Sequence, residues 1–460
     1  MQIPDIIQTI SKALVKENAQ AIVVGGAVRD HFMGTRIKDY DVEVYGLTHI
    51  EQLERILAQY GTVNLVGKSF GIFKFRYEKE EYDFAFPRTE QKNGVGHRGF
   101  DIQCDGSLTF EEASVRRDFT INAMGYDIEA EQFLDPHGGQ RDMERRVLCH
   151  VDDQTFVEDP LRVYRAVQFA ARFGYRLDEH TFELCRSMVE AGMLAELAAE
   201  RIYMEFYKLL LQSPKPSIGF ELMRELGILR YFPELEAIVG VPQSPKWHPE
   251  GDVWVHTLMV VDQMAALKVG DTKEDLKLML AALCHDLGKA THTQIGEEKI
   301  TAIGHEEAGV GLSKRFLYRL TNEHELIKAV GVLVREHLQP SIYFHNRAKD
   351  KTIRRLATRV NIEELVRLAR ADFLGRTTEA SLSGRYEAGD WLLEQAKRLD
   401  VLNTPPMPLL QGRDLIELGY PPSRAFKPLL HQVYQAQING TVKTREEAIA
   451  YVTSQKINLN

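Results

Sequence analysis

The chain is short of the features that would place it outside the cell or in a bilayer. It has four cysteines in 460 residues (Cys104, Cys149, Cys185, Cys284), all far apart and none in a C-x-x-C pair. That spacing excludes a disulfide framework and a cysteine-based zinc knuckle. No apolar run approaches the ~20 residues needed to cross a bilayer. Residues 1–20, MQIPDIIQTISKALVKENAQ, carry acids and amides where a secretory leader would be continuously apolar. A reducing, cytoplasmic setting with no membrane partner is therefore expected. Positive charge is not in excess either, since 57 Lys+Arg against 66 Asp+Glu leave a net −9. A polycation that coats nucleic acid by bulk charge is ruled out, and any phosphate-rich partner has to be met by local basic patches. Internal repeats and low-complexity tracts are also missing.

What is present is an ordinary globular balance, 44% hydrophobic and 27% charged, over a length that suggests about three domains at ~150 residues each. Residues 5–18 have Ile6, Ile7, Ile10, Leu14 and Val15 at helical spacing. AIVV (21–24) is expected as a buried strand stopping at Gly25-Gly26. RIKDYDVEVY (36–45) alternates as a strand, and 63–66, 71–77 and 82–86 are further strand-like pieces. After Pro136-His137-Gly138-Gly139 the periodicity becomes helical, with breaks at 213–216, 241–245 and 403–408. The expected division is an α/β head (1–140), an all-α neck (141–240), a helical body (245–380) and a tail (381–460).

In V-V-G-G-A-V-R-D (23–30), a strand ends in two glycines and opens a helix. Such a turn lets bare backbone N–H groups approach an anion, with Arg29 one turn further on to add a charged fork. The same turn is also a common purely structural device. Asp39 and Asp41 sharpen the anion reading. Residues two apart on a strand project to one face, so the two carboxylates converge as hard ligands suited to Mg2+ and in-line phosphoryl displacement. An isolated D-x-D is equally a solvated acidic face. Glu43 shares that face and Asp83 lies on a later strand; both are expected as surface or loop-positioning acids rather than a third metal ligand.

G-G-A-V-R-D followed by K-D-Y-D (38–41) resembles the signature of class II tRNA nucleotidyltransferases, the CCA-adding enzymes and bacterial poly(A) polymerases. The resemblance implies a polymerase-β-like nucleotidyltransferase head. R-R-D-F-T-I-N-A-M (116–124) is similar to the family's second motif. It implies phosphate contact for Arg117 and ribose contact for Asp118 and Asn122. L-D-P-H-G-G-Q-R-D-M (134–143) is similar to the segment that leads from head to neck.

E-D-P-L-R-V-Y-R-A-V-Q-F (158–169) has the acids and proline of a helix start, and Asp159, Arg162 and Arg165 follow at intervals of three. An intrahelical Asp–Arg pair is the ordinary expectation. The functional alternative is a protein template for a base. Cytosine and adenine present an amino donor beside a ring-nitrogen acceptor, matching an acceptor Asp159 and a donor Arg162. Uracil and guanine reverse that order and would leave buried groups unpaired at about 1–3 kcal/mol each. The segment resembles the family's E-D-x-x-R motif, with Arg165 matching an arginine suited to the triphosphate. Gln168 departs from it, since many relatives carry arginine there, and one nucleotide or RNA contact is thereby in doubt. A-E-R-I-Y-M-E-F-Y-K-L-L (199–210) resembles a neck-stabilising motif, so Glu200, Arg201 and Glu205 are expected to be structural.

Residues 276–289 read as an apolar helix ending in His285-Asp286. With His256, His305, His337 and Asp372 they form an ordered H…HD…H…H…D series of nitrogen and oxygen donors. The series resembles the HD-type phosphohydrolase domain, implying a first metal shell of His256, His285, Asp286 and Asp372. His305 and His337 are secondary candidates, and the metal is a divalent transition ion, Ni2+ among the candidates. P-K-W-H-P-E-G-D-V-W-V-H-T-L (245–258) resembles bifunctional relatives, with Trp247 and His248 expected as packing and loop residues.

The resemblance as a whole implies an enzyme that adds C, C and A to the tRNA 3′ end from CTP and ATP. Mg2+ would serve the head, phosphodiesterase, 2′-nucleotidase and phosphatase activities would belong to the body, and DNA is not an expected partner. An A-adding enzyme or a poly(A) polymerase would carry the same head motifs. A non-catalytic tRNA-binding protein should have lost carboxylates at one centre or both, and neither centre has.

Overall fold

The computed structural model describes residues 1–66, 71–92 and 100–454. The chain divides into two compact units, Met1–Tyr231 and Phe232–Asn460.

The first unit opens with α1 (Asp5–Lys16), whose Ile7, Ile10 and Leu14 are buried. There follow β1 (Gln20–Val24), α2 (Gly26–Phe32), β2 (Asp41–Tyr45), α3 (Ile50–Leu57), β3 (Thr62–Val66), β4 (Ile72–Tyr77) and β5 (Glu80–Ala85). A separate hairpin, β6 (Arg88–Lys92) and β7 (Phe100–Cys104), precedes α4 (Phe110–Ser114), and β8 (Gly125–Asp127) and β9 (Gln132–Leu134) complete the head. Seven strands form one sheet in the order β3-β4-β5-β2-β1-β8-β9. Only β2 and β5 pair in parallel; the other neighbours are antiparallel. Central strands β1 and β2 are buried along four of their five residues. Val23, Val42, Val44, Phe73, Phe75 and Phe84 make the core against α1 and α3.

The strand expected over 36–45 is shorter, starting at Asp41. Its pairing partner runs out there, because Val24, opposite Asp41, is the last residue of β1 before the glycine turn. Asp39 therefore sits just ahead of the paired strand rather than within it.

Then come α5 (Gly139–Glu144), β10 (Val147–Leu148), α6 (Asp153–Glu158), α7 (Leu161–Phe173), β11 (Arg176–Leu177), α8 (Glu179–Glu190), α9 (Ala199–Gln212) and α10 (Ser217–Glu225). α7 packs against α9 and α10, and the two-residue strands β10 and β11 pair in parallel. Asp159 lies between α6 and α7 in extended backbone. The expected face-sharing of Asp159, Arg162 and Arg165 thus holds only for the two arginines. Pro160, with no N–H to give, starts α7 one residue later.

The second unit contains α11 (Pro233–Glu236), α12 (Val253–Ala266), α13 (Thr272–Cys284), α14 (Lys289–His292), α15 (His305–Tyr318), α16 (His324–Glu336), α17 (Gln339–His345), α18 (Asp350–Ala357) and α19 (Ile362–Leu374). α12 packs on α13 and α19, and α16 on α13 and α15. The helix expected over 276–289 stops at Cys284, and His285–Gly288 form a turn. Gly288 permits a close approach: a Cβ there would lie 1.9 Å from the His305 carbonyl oxygen. The C-terminal helices have their own small core around Leu415, Leu429, Val433 and Ala448. No helix among the described residues is long and apolar enough to cross a membrane.

Asp252 caps α12, its carboxylate accepting from Val255 N (2.8 Å) and from Gly240 N (2.7 Å). Replacing Asp252 by Ala is expected to cost about 1–2 kcal/mol, read as a lower denaturant midpoint for the second unit.

Candidate active sites

In the head, the register Val24↔Asp41 sets Asp41 one residue away from the Gly25-Gly26 turn. Gly25 has φ 72°, and a Cβ on it would come within 2.9 Å of Arg117 Nη1. The turn, the acidic strand end and Arg117 thus meet at one place. Gly25 N–H is itself bonded to the Met124 carbonyl at 3.1 Å. Arg29 is buried, donating to Asn122 Oδ1 at 2.7 Å and to Asp30 at 2.6 Å. Its guanidinium also faces the rings of Phe173 (4.9 Å) and Phe169 (5.7 Å).

Asp39 and Asp41 are both exposed. The Asp41 carboxyl is pushed above its ordinary range, first by loss of hydration and then by the charges of Asp83, Asp39 and Glu43, with Arg117 pulling the other way. Crowded carboxylates of this kind fit a divalent cation, which would relieve their repulsion. Glu43 does not belong to the cation set. It is buried, receiving Arg116 at 2.7 Å, Arg117 at 2.8 Å and the Tyr45 hydroxyl at 2.7 Å. Burial raises its carboxyl, but the two arginines more than offset this and hold it low. It positions the second motif from inside rather than standing on the surface. Asp83 pairs opposite Asp41 and lies 3.8 Å from Lys74.

Asp118 is buried and is held below its usual range, against the effect of burial, by Arg165 and Asn122. Arg165 Nε donates to it at 2.6 Å and Asn122 Nδ2 at 3.0 Å. Asp159 accepts from Arg201 at 2.9 and 3.2 Å and from Leu161 N at 3.1 Å. Arg162 is spread over two carbonyls, Thr155 O (2.7 Å) and Arg116 O (2.6 Å). Asp159 and Arg162 are neighbours, then, but each is engaged elsewhere. Arg201 enters the site as the partner of Asp159, a role that spacing along its own helix does not reveal. Gln168 is buried at 1% exposure, and its Nε2 has no hydrogen-bond partner. It faces the interior of the neck.

The second unit gathers its four expected ligands. His256 Nε2 is 3.1 Å from Asp372 and 3.8 Å from Asp286 Oδ2; His285 Nε2 is 3.2 Å from the same Oδ2. The other oxygen of Asp286 faces His305 Nε2 (3.2 Å) and His337 Nε2 (4.0 Å). All six residues are buried. His285, His305 and His337 each turn Nδ1 to the carbonyl three residues back, on Ala282 (2.8 Å), Ala302 (2.6 Å) and Val334 (2.6 Å). An N–H given to a carbonyl leaves the Nε2 lone pair pointing inward, the arrangement of metal-ligating imidazoles. The buried Nε2 atoms of His285 and His305 have no well-aligned hydrogen bond, which fits a divalent transition ion among them. Burial, with His285 and His305 nearby, lowers His337 to about 3 and keeps it neutral.

Three supporting residues escaped the sequence reading. Lys289 Nζ reaches Asp286 Oδ2 at 2.7 Å, and Arg376 Nη2 reaches both Asp372 oxygens at 2.8 Å. Spacings of three and four residues were the available signal for these. Glu250 Oε1 lies 2.9 Å from His256 Nδ1 and from His248 Nδ1, and nothing in the sequence announced it. His248 is more than a loop residue, since its ring meets that of His256 edge-on at 4.5 Å. A cavity of about 240 Å3 opens onto the cluster, with Lys289, Arg376, His248 and His305 in its lining.

Three family models match the chain. The Poly A polymerase head domain covers residues 21–149, a probable RNA and SrmB-binding site of polymerase A covers 174–239, and the HD domain covers 253–376. The Multifunctional CCA protein of Vibrio campbellii is 38% identical over 368 residues, 78% of this chain and 86% of that one. Its counterpart in Cupriavidus necator is 38% identical over 387 residues, 83% and 89% of the two chains. Among solved structures, the Bacillus stearothermophilus CCA-adding enzyme in complex with CTP aligns with a TM-score of 0.69 and 22% identity, covering 99% and 98% of the two chains. The Thermotoga maritima CCA-adding enzyme complexed with tRNA aligns at 0.60 and 18%, covering 98% and 96%. At these identities the structural likeness is one of fold.

Glu250 supports His256 without facing the other ligands. Glu250→Gln is expected to weaken metal retention by the second unit about 10–100-fold, measured by dialysis against a graded chelator.

Proposed function

Since the chain belongs to the multifunctional CCA proteins, nucleotidyltransferases with an HD domain, we propose that it adds C, C and A to the 3′ end of tRNA. CTP and ATP are the donors, pyrophosphate is released, and no nucleic-acid template is used. The observation that carries this reading is the meeting of Asp41, the Gly25-Gly26 turn and Arg117 at one end of β1 and β2. The work is assigned to the cytoplasm, on RNA rather than DNA, with tRNA gripped through its shape and backbone.

Asp39 and Asp41 would hold Mg2+, whose charge lowers the barrier to in-line attack by the RNA hydroxyl on a nucleoside triphosphate. Arg29 and Arg117, already fixed by Asn122 and Glu43, offer forked donors to the triphosphate without having to be ordered first. Arg165 adds a third positive group, and Asp118 with Asn122 binds the sugar. Asp159 and Arg162 read the base. Asp159 has to share or release Arg201 to do so, and Arg162 has to share the N–H groups it gives to the Thr155 and Arg116 carbonyls. An acceptor beside a donor suits cytosine and adenine and leaves uracil and guanine mismatched.

His256, His285, Asp286 and Asp372, with His305 and His337 alongside, would hold a divalent transition ion, Ni2+ among the candidates, supplying Lewis acidity toward a phosphoester. Lys289 and Arg376 line the same cavity and suit the charge of a phosphate group. A phosphohydrolase acting on 2′,3′-cyclic phosphates, 2′-nucleotides or simple monoesters is the matching activity.

Two separate centres require separable losses. Asp41→Ala should abolish nucleotide addition to tRNA transcripts while phosphatase turnover persists, and Asp286→Ala should do the reverse. Parallel loss of both activities in either variant would argue for a single centre. At the base, Asp159→Asn introduces a donor beside the acceptor, and its preference for CTP over UTP should narrow by about tenfold or more. Competition assays on transcripts lacking the last three nucleotides would measure it.

A further inference from the structure

A third cluster of metal-ligating side chains lies in the first unit and shares no residue with either centre. Parallel pairing of β10 with β11 matches Leu148 with Leu177, so the residues just beyond each strand, His150 and His180, come alongside. Their rings are 5.1 Å apart. Asp153, at the start of α6, closes the group. Its Oδ1 is 2.6 Å from His150 Nε2 and 3.0 Å from His180 Nε2, and its Oδ2 is 3.1 Å from His180 Nε2. The three donor atoms lie within 4.8 Å of one another.

We propose that His150, Asp153 and His180 form a binding site for a divalent ion of the Zn2+ class. Two imidazole nitrogens and one carboxylate oxygen are ligands that Zn2+ and its neighbours take, and Mg2+ takes such nitrogens poorly. Zn2+ bonds of about 2.0–2.1 Å set donor–donor edges of ~3.4 Å in a tetrahedron. To reach that edge, Asp153 Oδ1 and His150 Nε2 have to move apart by about 0.8 Å and Asp153 and His180 Nε2 by about 0.3–0.4 Å. One ligand is already immobilised: the His150 side chain is only 6% exposed, its ring is tilted against that of Phe156 at 5.3 Å, and its Nδ1 is 2.7 Å from the Thr181 hydroxyl. That contact lets Nδ1 carry the ring proton and present Nε2 to an ion. Asp153 and His180, at 59% and 63% exposed, leave the remaining coordination position open to water.

Without the ion the same atoms form a His–Asp–His hydrogen-bonded group, in which each Nε2–H donates to Asp153. When the ion binds, the proton of each neutral imidazole passes from Nε2 to Nδ1, on His150 toward the Thr181 hydroxyl, and the Nε2 lone pairs take the ion. The start of a helix disfavours a cation, and two helices start here; Asp152 and Asp178, which cap them, and Asp153 itself offset that field. An ion at this point would fasten α6 to α8, close to Thr155, whose carbonyl holds Arg162. That bracing effect rests on the base-reading assignment; the binding of the ion does not.

The test uses the full chain with excess Mg2+ present, dialysed against low-micromolar free Zn2+, with bound zinc counted by metal analysis. The unaltered chain is expected to hold one more equivalent than His180→Gln or Asp153→Asn, both of which alter exposed side chains. Asp286→Ala, altered only in the second unit, should retain that equivalent. In Asp286→Ala, Co2+ should give a visible absorption band of a nitrogen-containing site that is missing when His180→Gln is added to the same chain. Equal zinc content in the unaltered chain, His180→Gln and Asp153→Asn would overturn the proposal, as would complete loss of zinc in Asp286→Ala.

Discussion

A carboxylate taken out of water must be met by partners, and Glu43 is where the first unit answers that demand. Arg116 and Arg117 both turn inward to it. The next links follow from Arg116 and from Asp118 two residues on. The carbonyl of Arg116 accepts from Arg162, and Asp118 accepts from Arg165. Positions 116–118 therefore tie strand β2 to helix α7 by four charged or charge-assisted contacts. Removing one partner would strand another, so Arg117 beside Gly25 and the arginines of α7 are set by a single arrangement. Fixed donors of this kind stabilise developing charge without reorganising when the substrate arrives.

The second unit solves a different problem with the same economy of groups. The last carbonyls of a helix lack intrahelical partners, and His285 and His337 supply them from the turns that end α13 and α16. Capping thereby orients both imidazoles, with the Nε2 atoms converging on Asp286. The two oxygens of Asp286 face different histidines. Lys289 and Arg376 hold the carboxylates of Asp286 and Asp372 in place from the cavity that opens onto the cluster.

Much of this was legible along the chain because the relevant spacings are local. The glycine turn, the D-Y-D carboxylates, and the H…HD…H…H…D series each bring functional groups together through short motifs or a helical order that tolerates small errors of boundary. Expectations failed where a partner from another element set the outcome. The strand at 36–45 shortened because β1 ends at Val24, and Asp159 left the helical face because Pro160 starts α7 late. Glu43 alternates with Asp41 like a solvent-facing acid, yet two arginines more than seventy residues away draw it inside. Arg201 and Glu250 had no local signal at all, since their partners, Asp159 and His256, lie on other segments.

Residue types and their order were sufficient to indicate an α/β head, a helical remainder and two groups of ligand-type side chains, because ligand identity and periodicity are properties of the chain itself; the chemistry of each came from the resemblance its motifs carry. Which charges are sheltered, which arginine holds which carboxylate, and which ring nitrogen points toward an ion were decided only on folding. Those outcomes depend on desolvation and on distances between segments far apart in sequence, and both quantities come into existence only when the segments pack.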